Sequence, residues 1–218
     1  MTRTHWTAVV AIVLALLFAG AATVASAGDG DGGGDRHPTP NLADAGFARD
    51  MSVHHQQAVE MSFIIRDRTQ DKDIRTLAYD IANTQANQRG MMLGWLNLWG
   101  LPALDPSAEP MAWMTAGDGN PHAGHATGET GEGAIMPGMA TKAQLEKLNT
   151  LSGKAAEIEF LQLMIVHHNS GVAMAQGCVD QCAVTPQRDL AQGMVDAQRS
   201  EVELMIDLLR KRGAQVRT

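Results

Sequence analysis

Two adjacent histidine pairs, His54-His55 and His167-His168, sit in closely similar strings. Met51 and Met61 flank the first, and Met164 and Met174 flank the second. Imidazole with thioether is a donor set for soft or borderline metal ions, Cu(I) above all, and thioether is a poor ligand for Mg or Ca. The thioether is abundant, since 13 of 218 residues are Met. Between the histidine pairs lie Met111 and Met114, His122 and His125, and Met136 and Met139, each pair spaced by three. A flexible stretch can wrap such pairs round a linear or trigonal Cu(I) or Ag(I). Each residue type also has a plainer role. Met at helical spacing is usually core filler. Neighbouring histidines diverge, so at least one of each pair is expected to be exposed or simply hydrogen-bonded.

Such donors need elements to carry them, and an internal repeat shows which. Shifted by 113 residues, the chain matches itself without a gap. Phe47, Met51, Val53, His54, His55, Val59 and Met61 fall on Phe160, Met164, Val166, His167, His168, Val172 and Met174. Arg75, Leu77, Ala78, Gln85 and Met92 then fall on Arg188, Leu190, Ala191, Gln198 and Met205, and Asp44 meets Glu157. A repeat of this length is a duplicated supersecondary unit.

Each unit reads as two helices. Asp44, Phe47, Met51, His54, Ala58 and Met61 step by three and four, the stripe of a buried helix face. Asn41 is a capping residue, with Asp44 favouring the positive N-terminus. Thr69 to Lys72 is a polar break. The second helix is expected from about Asp73 to Trp99, ended by Gly100 and Pro102. In the second unit a helix is expected from about Lys154 to Gln176. Thr185 caps the last one, with Pro186 at its first position and Gly213 as its stop. A short helix opens at Thr141, with Gln144 closing a capping box.

The expected fold is all-α, a four-helix up-down bundle of two duplicated hairpins, residues 41–100 and 141–213, joined by a long Gly-, Met- and His-containing crossover at 101–140. In an up-down-up-down order the first and third helices are parallel. The two Met/His strings then share one height, where Gln85, Gln88, Met91 and Met92 of one hairpin meet Gln198, Glu201 and Met205 of the other.

The chain's start reads as an address. Arg3 precedes an apolar run, Ala8 to Ala22, and Ala25-Ser26-Ala27 is a signal-peptidase pattern. Cleavage after Ala27 is expected, followed by a Gly- and Asp-rich tether over 28–40 and no membrane span in the mature chain. The alternative is a retained membrane anchor. The expected location is outside the cytoplasm, secreted or in the cell envelope. The formal charge of −7 argues against a nucleic-acid surface. In an oxidising compartment Cys178 and Cys182 are expected to form a local disulfide, the alternative being a dithiol that helps hold copper. Ile65 and Thr69 occupy their places in the first unit.

No Glu-x-x-His for a di-iron bundle, no His-Glu-x-x-His, no Gly-x-Ser-x-Gly and no phosphate loop is present. No catalysis is therefore expected.

The strings Phe47 to Met61 and Phe160 to Ala175, with Met136-Pro-Gly-Met139 before the short helix, resemble the DUF305 family over about Leu42 to Arg212. The resemblance implies a ferritin-like bundle, exported, in bacteria, with some members binding copper through Met and His. It supports Met51, His54, His55, Met61, Met136, Met139, Met164, His167, His168 and Met174 as ligands. Geometry adds Met92 and Met205, and the crossover adds His122 and His125. Val53 stands where the family usually has Pro, and Asn169-Ser170-Gly171 replaces its commoner acid-Gly pair. The expectation is an exported protein that sequesters or transfers Cu(I), with a copper-handling protein as a partner. The rivals are a structural or protein-interaction bundle and a ferritin-like redox protein.

Overall fold

A computed structural model describes residues 39–115 and 133–217, all within the unit His37–Thr218. The segment expected to be a signal peptide, most of the expected tether, His122 and His125 lie outside the described residues. Among those described there are six helices: α1 (Leu42–Arg68), α2 (Lys72–Leu98), α3 (Ala112–Thr115), α4 (Lys142–Thr150), α5 (Gly153–Gln181) and α6 (Thr185–Lys211). The four long ones form the expected all-helical bundle. α2 packs on α1, α6 packs on α5, and α1 on α5 joins the hairpins. None of these helices is long and apolar enough to cross a membrane.

Local chemistry sets the ends. Asn41 and Asp44 form a full capping box on α1, as Thr141 and Gln144 do on α4. Gly100 and Gly213 follow α2 and α6 with left-handed φ of 68° and 70°, the conformation that stops a helix. α5 runs one turn further than expected, to Gln181, where Cys178 and Cys182 are disulfide-bonded. Thr185 is the first residue of α6 rather than its cap. The preceding amides are met from another helix: the Asp44 carboxylate accepts from Ala183 N and Val184 N, both at 3.1 Å.

The same contacts correct the expected running order. Asn41 Nδ2 donates to Gln181 O at 2.9 Å, so the start of α1 meets the end of α5. At the far end Thr69 Oγ1 donates to Glu157 Oε1 at 2.5 Å, so the end of α1 meets the start of α5. α1 and α5 are therefore antiparallel. Asp44 and Glu157, partners in the repeat, each grip the opposite hairpin's turn, Glu157 also accepting from Arg212 Nε at 2.6 Å. The hairpins are thus related by a pseudo-twofold axis across α1 and α5. The histidine pairs still share one height because they lie near the middle of both helices.

Much of the crossover is packed structure rather than a free loop. Met111 N and Trp113 Nε1 donate to Asp50 Oδ2 at 2.8 and 2.9 Å. Trp113 meets Phe47 edge-on, with ring centroids 5.9 Å apart, and lies where a side chain on Gly46 would stand. Burial pushes the Asp50 carboxyl upward, against the pull of these two donors. At the other end the Gln57 amide pairs with both backbone groups of Ala140, at 2.8 and 2.6 Å. Ser170 Oγ donates to Pro137 O at 2.5 Å, and Gly138 leaves room for that approach. These anchors turn Met111, Met114, Met136 and Met139 into the core.

Candidate metal centre

Successive helix residues lie about 100° apart, so a histidine pair can bury both rings only on a helix covered from two sides. α1 and α5 are such helices. His54, His55, His167 and His168 are all 0% exposed, so of the two outcomes expected for the outer ring of each pair, exposure or a hydrogen bond, the structure shows the hydrogen bond. His54 and His167 enter the α1–α5 seam and stack, with ring centroids 3.7 Å apart. His55 turns to α2, where its Nε2 is hydrogen-bonded to the Gln88 side-chain amide at 2.8 Å. His168 turns to α6, where its Nε2–H donates to Glu201 Oε2 at 2.7 Å. Gln88 and Glu201 are repeat partners, so the two contacts are copies of one design.

The outer parts of the site also follow the repeat. Met51 and His55, and Gln88 and Met92, are spaced four apart and so neighbour each other on their helix faces. Met164 and His168, and Glu201 and Met205, repeat this in the second hairpin. Met51, Met61, Met92, Met164, Met174 and Met205 are all fully buried. They do not gather in one layer. Met51, Met92 and Met174 share an apolar cluster with Met111, Met114, Met136, Met139 and Met194. Met61, Met164 and Met205 belong to the other cluster. The antiparallel order causes this split, placing one thioether group on each side of the imidazoles. Met91, expected at this level, is 48% exposed and takes no part. Met194 was not singled out in the sequence, although it stands three residues after Ala191 on the buried face of α6.

The ring nitrogens carry the chemical information. His167 Nε2–H donates to His54 O at 3.1 Å. His54 Nδ1 and Nε2, and Nδ1 of His55, His167 and His168, are buried with no hydrogen-bond partner. The neighbouring amides Gln85 and Gln198 also hold unpartnered atoms. A buried polar atom without a partner costs about 1–3 kcal/mol, so such a concentration calls for a ligand or a functional reason. Burial drives His54 and His167 well below the ordinary imidazole range, helped by the neighbouring rings. Burial lowers His55 to about 3, against the hydrogen bond to Gln88. These three rings are neutral at ordinary pH, the form in which imidazole binds a metal.

Among the described residues, no three His, Cys, Asp or Glu side chains form a group poised to hold a metal ion. The buried donor groups of this region are the imidazole nitrogens, the Gln85 and Gln198 amides, and the thioethers one helical turn along each helix. A separate groove of 520 Å³, lined by Val53, Gln56, Leu93, Leu104 and Ile135 among others, touches none of the four imidazoles.

The sequence profile described as "Domain of unknown function (DUF305)" matches residues 44–209. A DUF305 protein of Streptomyces coelicolor, described as secreted, is similar in structure. Identity is 57% over 81% of this chain and 97% of that one, with a TM-score of 0.71. A DUF305 fragment from Deinococcus radiodurans shows 30% identity over 80% of this chain and 99% of that one, with a TM-score of 0.62. CopM in its Cu(I)-bound form shares the fold at 20% identity, over 78% of this chain and 98% of that one, with a TM-score of 0.58. No curated protein matches the chain.

Proposed function

The chain belongs to the DUF305 family, and on that premise we propose that it is an exported, non-catalytic protein that binds Cu(I), with Ag(I) as a mimic. The observation that carries this reading is the set of five unpartnered ring nitrogens on four fully buried histidines, flanked by buried methionines. Imidazole and thioether are the ligands a soft monovalent cation prefers. Thioether also keeps that capacity in an oxidising compartment, where thiols pair as Cys178 and Cys182 do here. CopM structures with Cu(I), Cu(II) and silver bound lend support from the same fold. The ligands in this reading are His54, His55, His167 and His168 with Met51, Met92, Met164 and Met205. Met61, Met174, Met136 and Met139 flank them on either side. Sequestration, or transfer to a copper-handling partner, follows from binding without turnover.

The test replaces His54, His55, His167 and His168 together by Leu, which fills similar space without donors. The variant is expected to keep its helical circular dichroism and lose most of its Cu(I) affinity. Unchanged affinity in a folded variant contradicts the proposal.

A further inference from the structure

The outer contacts of the two halves occupy matching places in the repeat but differ in chemistry. His55 meets an amide, Gln88, and His168 meets a carboxylate, Glu201. A carboxylate has only acceptor oxygens, whereas an amide can turn and offer either its oxygen or its NH2. The carboxylate partner therefore requires a proton on His168 Nε2, so that in the neutral ring the lone pair lies on Nδ1, which is buried and has no partner. The amide imposes no such choice on His55, whose ring can take either tautomer as Gln88 turns.

We infer that Glu201 is a positioning residue that fixes His168 with Nδ1 free to bind a cation, making the His168 half of the bundle the tighter of two unequal half-sites. The inference rests on the metal-binding reading above. A cation bound at Nδ1 draws electron density from the ring and strengthens the Nε2–H donor. A carboxylate stabilises that polarised donor more than an amide does. Partners of this kind behind metal-bound histidines are typically worth 10–100-fold in affinity. Glu201 is well placed for the role. Its side chain is 23% exposed while His168 is fully buried, so a largely enclosed ring reaches a carboxylate at the bundle's edge. Met164 and Met205 stand one helical turn away on the two helices, so the half-site brings its own thioethers.

The test is nuclear magnetic resonance on the whole mature protein with 15N-labelled histidine. In the metal-free protein, long-range 1H–15N spectra are expected to show His168 with its proton on Nε2. In Glu201→Gln, His168 is expected to shift to the mixed pattern of His55. Titration with Ag(I), a diamagnetic probe, should move the His168 signals before those of His55. Glu201→Gln should abolish that order and weaken the first binding step by about 10–100-fold. Gln88→Glu should strengthen the second step and draw the two together. A proton on His168 Nδ1 in the metal-free spectrum overturns the inference whatever the metal does. Both halves filling together in the unaltered protein also overturns it, while leaving metal binding intact. Ag(I) that moves no ring signal overturns both readings.

Discussion

Acidifying the metal-free protein should unfold it well before its carboxylates titrate. His54 and His167 are held well below the usual imidazole range and His55 near 3, in each case mainly by burial. In the unfolded chain these rings titrate near 6.5. Below that pH the unfolded state binds protons that the folded state does not, so stability falls with pH. It is complete above about 6.5 and is lost progressively towards the folded values. One unit below the unfolded value, each ring costs about 1.4 kcal/mol, so three cost about 4 kcal/mol at pH 5.5. That is a large part of the 5–15 kcal/mol typical of a domain. Asp71 and Glu159, whose pKa values are lowered, act in the same direction but only below about pH 4. Asp50, raised by burial, acts the opposite way on protonation and partly offsets them. The assay is guanidinium unfolding followed by circular dichroism at pH 7.5, 6.5 and 5.5, with and without Cu(I). The metal-free protein should lose stability across this range, and the four-His-to-Leu variant should not. Equal stability of the metal-free protein at pH 7.5 and 5.5 would refute the buried, neutral assignment of the rings.

Further expectations concern single contacts. Met92→Leu with Met205→Leu conserves volume, so stability should change by less than about 1.5 kcal/mol per site, whereas Ag(I) affinity should fall; calorimetry and titration on one sample separate the effects. Gly46→Ala puts a methyl 2.4 Å from Trp113 Cδ1, so it should expel the indole from the core. A cost of about 1–3 kcal/mol and red-shifted Trp emission would report this. Asp44→Ala removes the acceptor for Asn41 N, Ala183 N and Val184 N. It should cost about 2–3 kcal/mol in chemical denaturation, as a lost cap with stranded donors does.

The repeat made each hairpin legible because apolar spacing and capping are local. Phe47, His54 and Met61 fall on a buried stripe by spacing, as Met164 and Met174 fall on the core face of the second unit; which ring of each histidine pair faces inward does not follow from spacing, and all four rings are buried. The symmetry relating the hairpins is not local. A duplicated sequence fits a parallel or an antiparallel arrangement equally well, and only the clasps of Asp44 on 183–184 and Glu157 on Thr69 decide between them. The thioethers split into two groups for that reason. The expected level of Gln88 with the first histidine pair and of Glu201 with the second survived the change, because each lies within one hairpin; the contacts of His55 with Gln88 and of His168 with Glu201 emerge from the structure. The crossover was harder to read. Its anchors, Gln57 on Ala140 and Asp50 on Trp113, span 83 and 63 residues and leave no periodic trace.

The most direct test of the central claim is an anaerobic Cu(I) titration of the mature protein against a chromophoric chelator, with ascorbate as reductant so that the disulfide stays intact. The account predicts that the protein withdraws at least one Cu(I) per chain from micromolar chelator. Failure to compete at that concentration would contradict it and return the buried Met and His to a purely structural role.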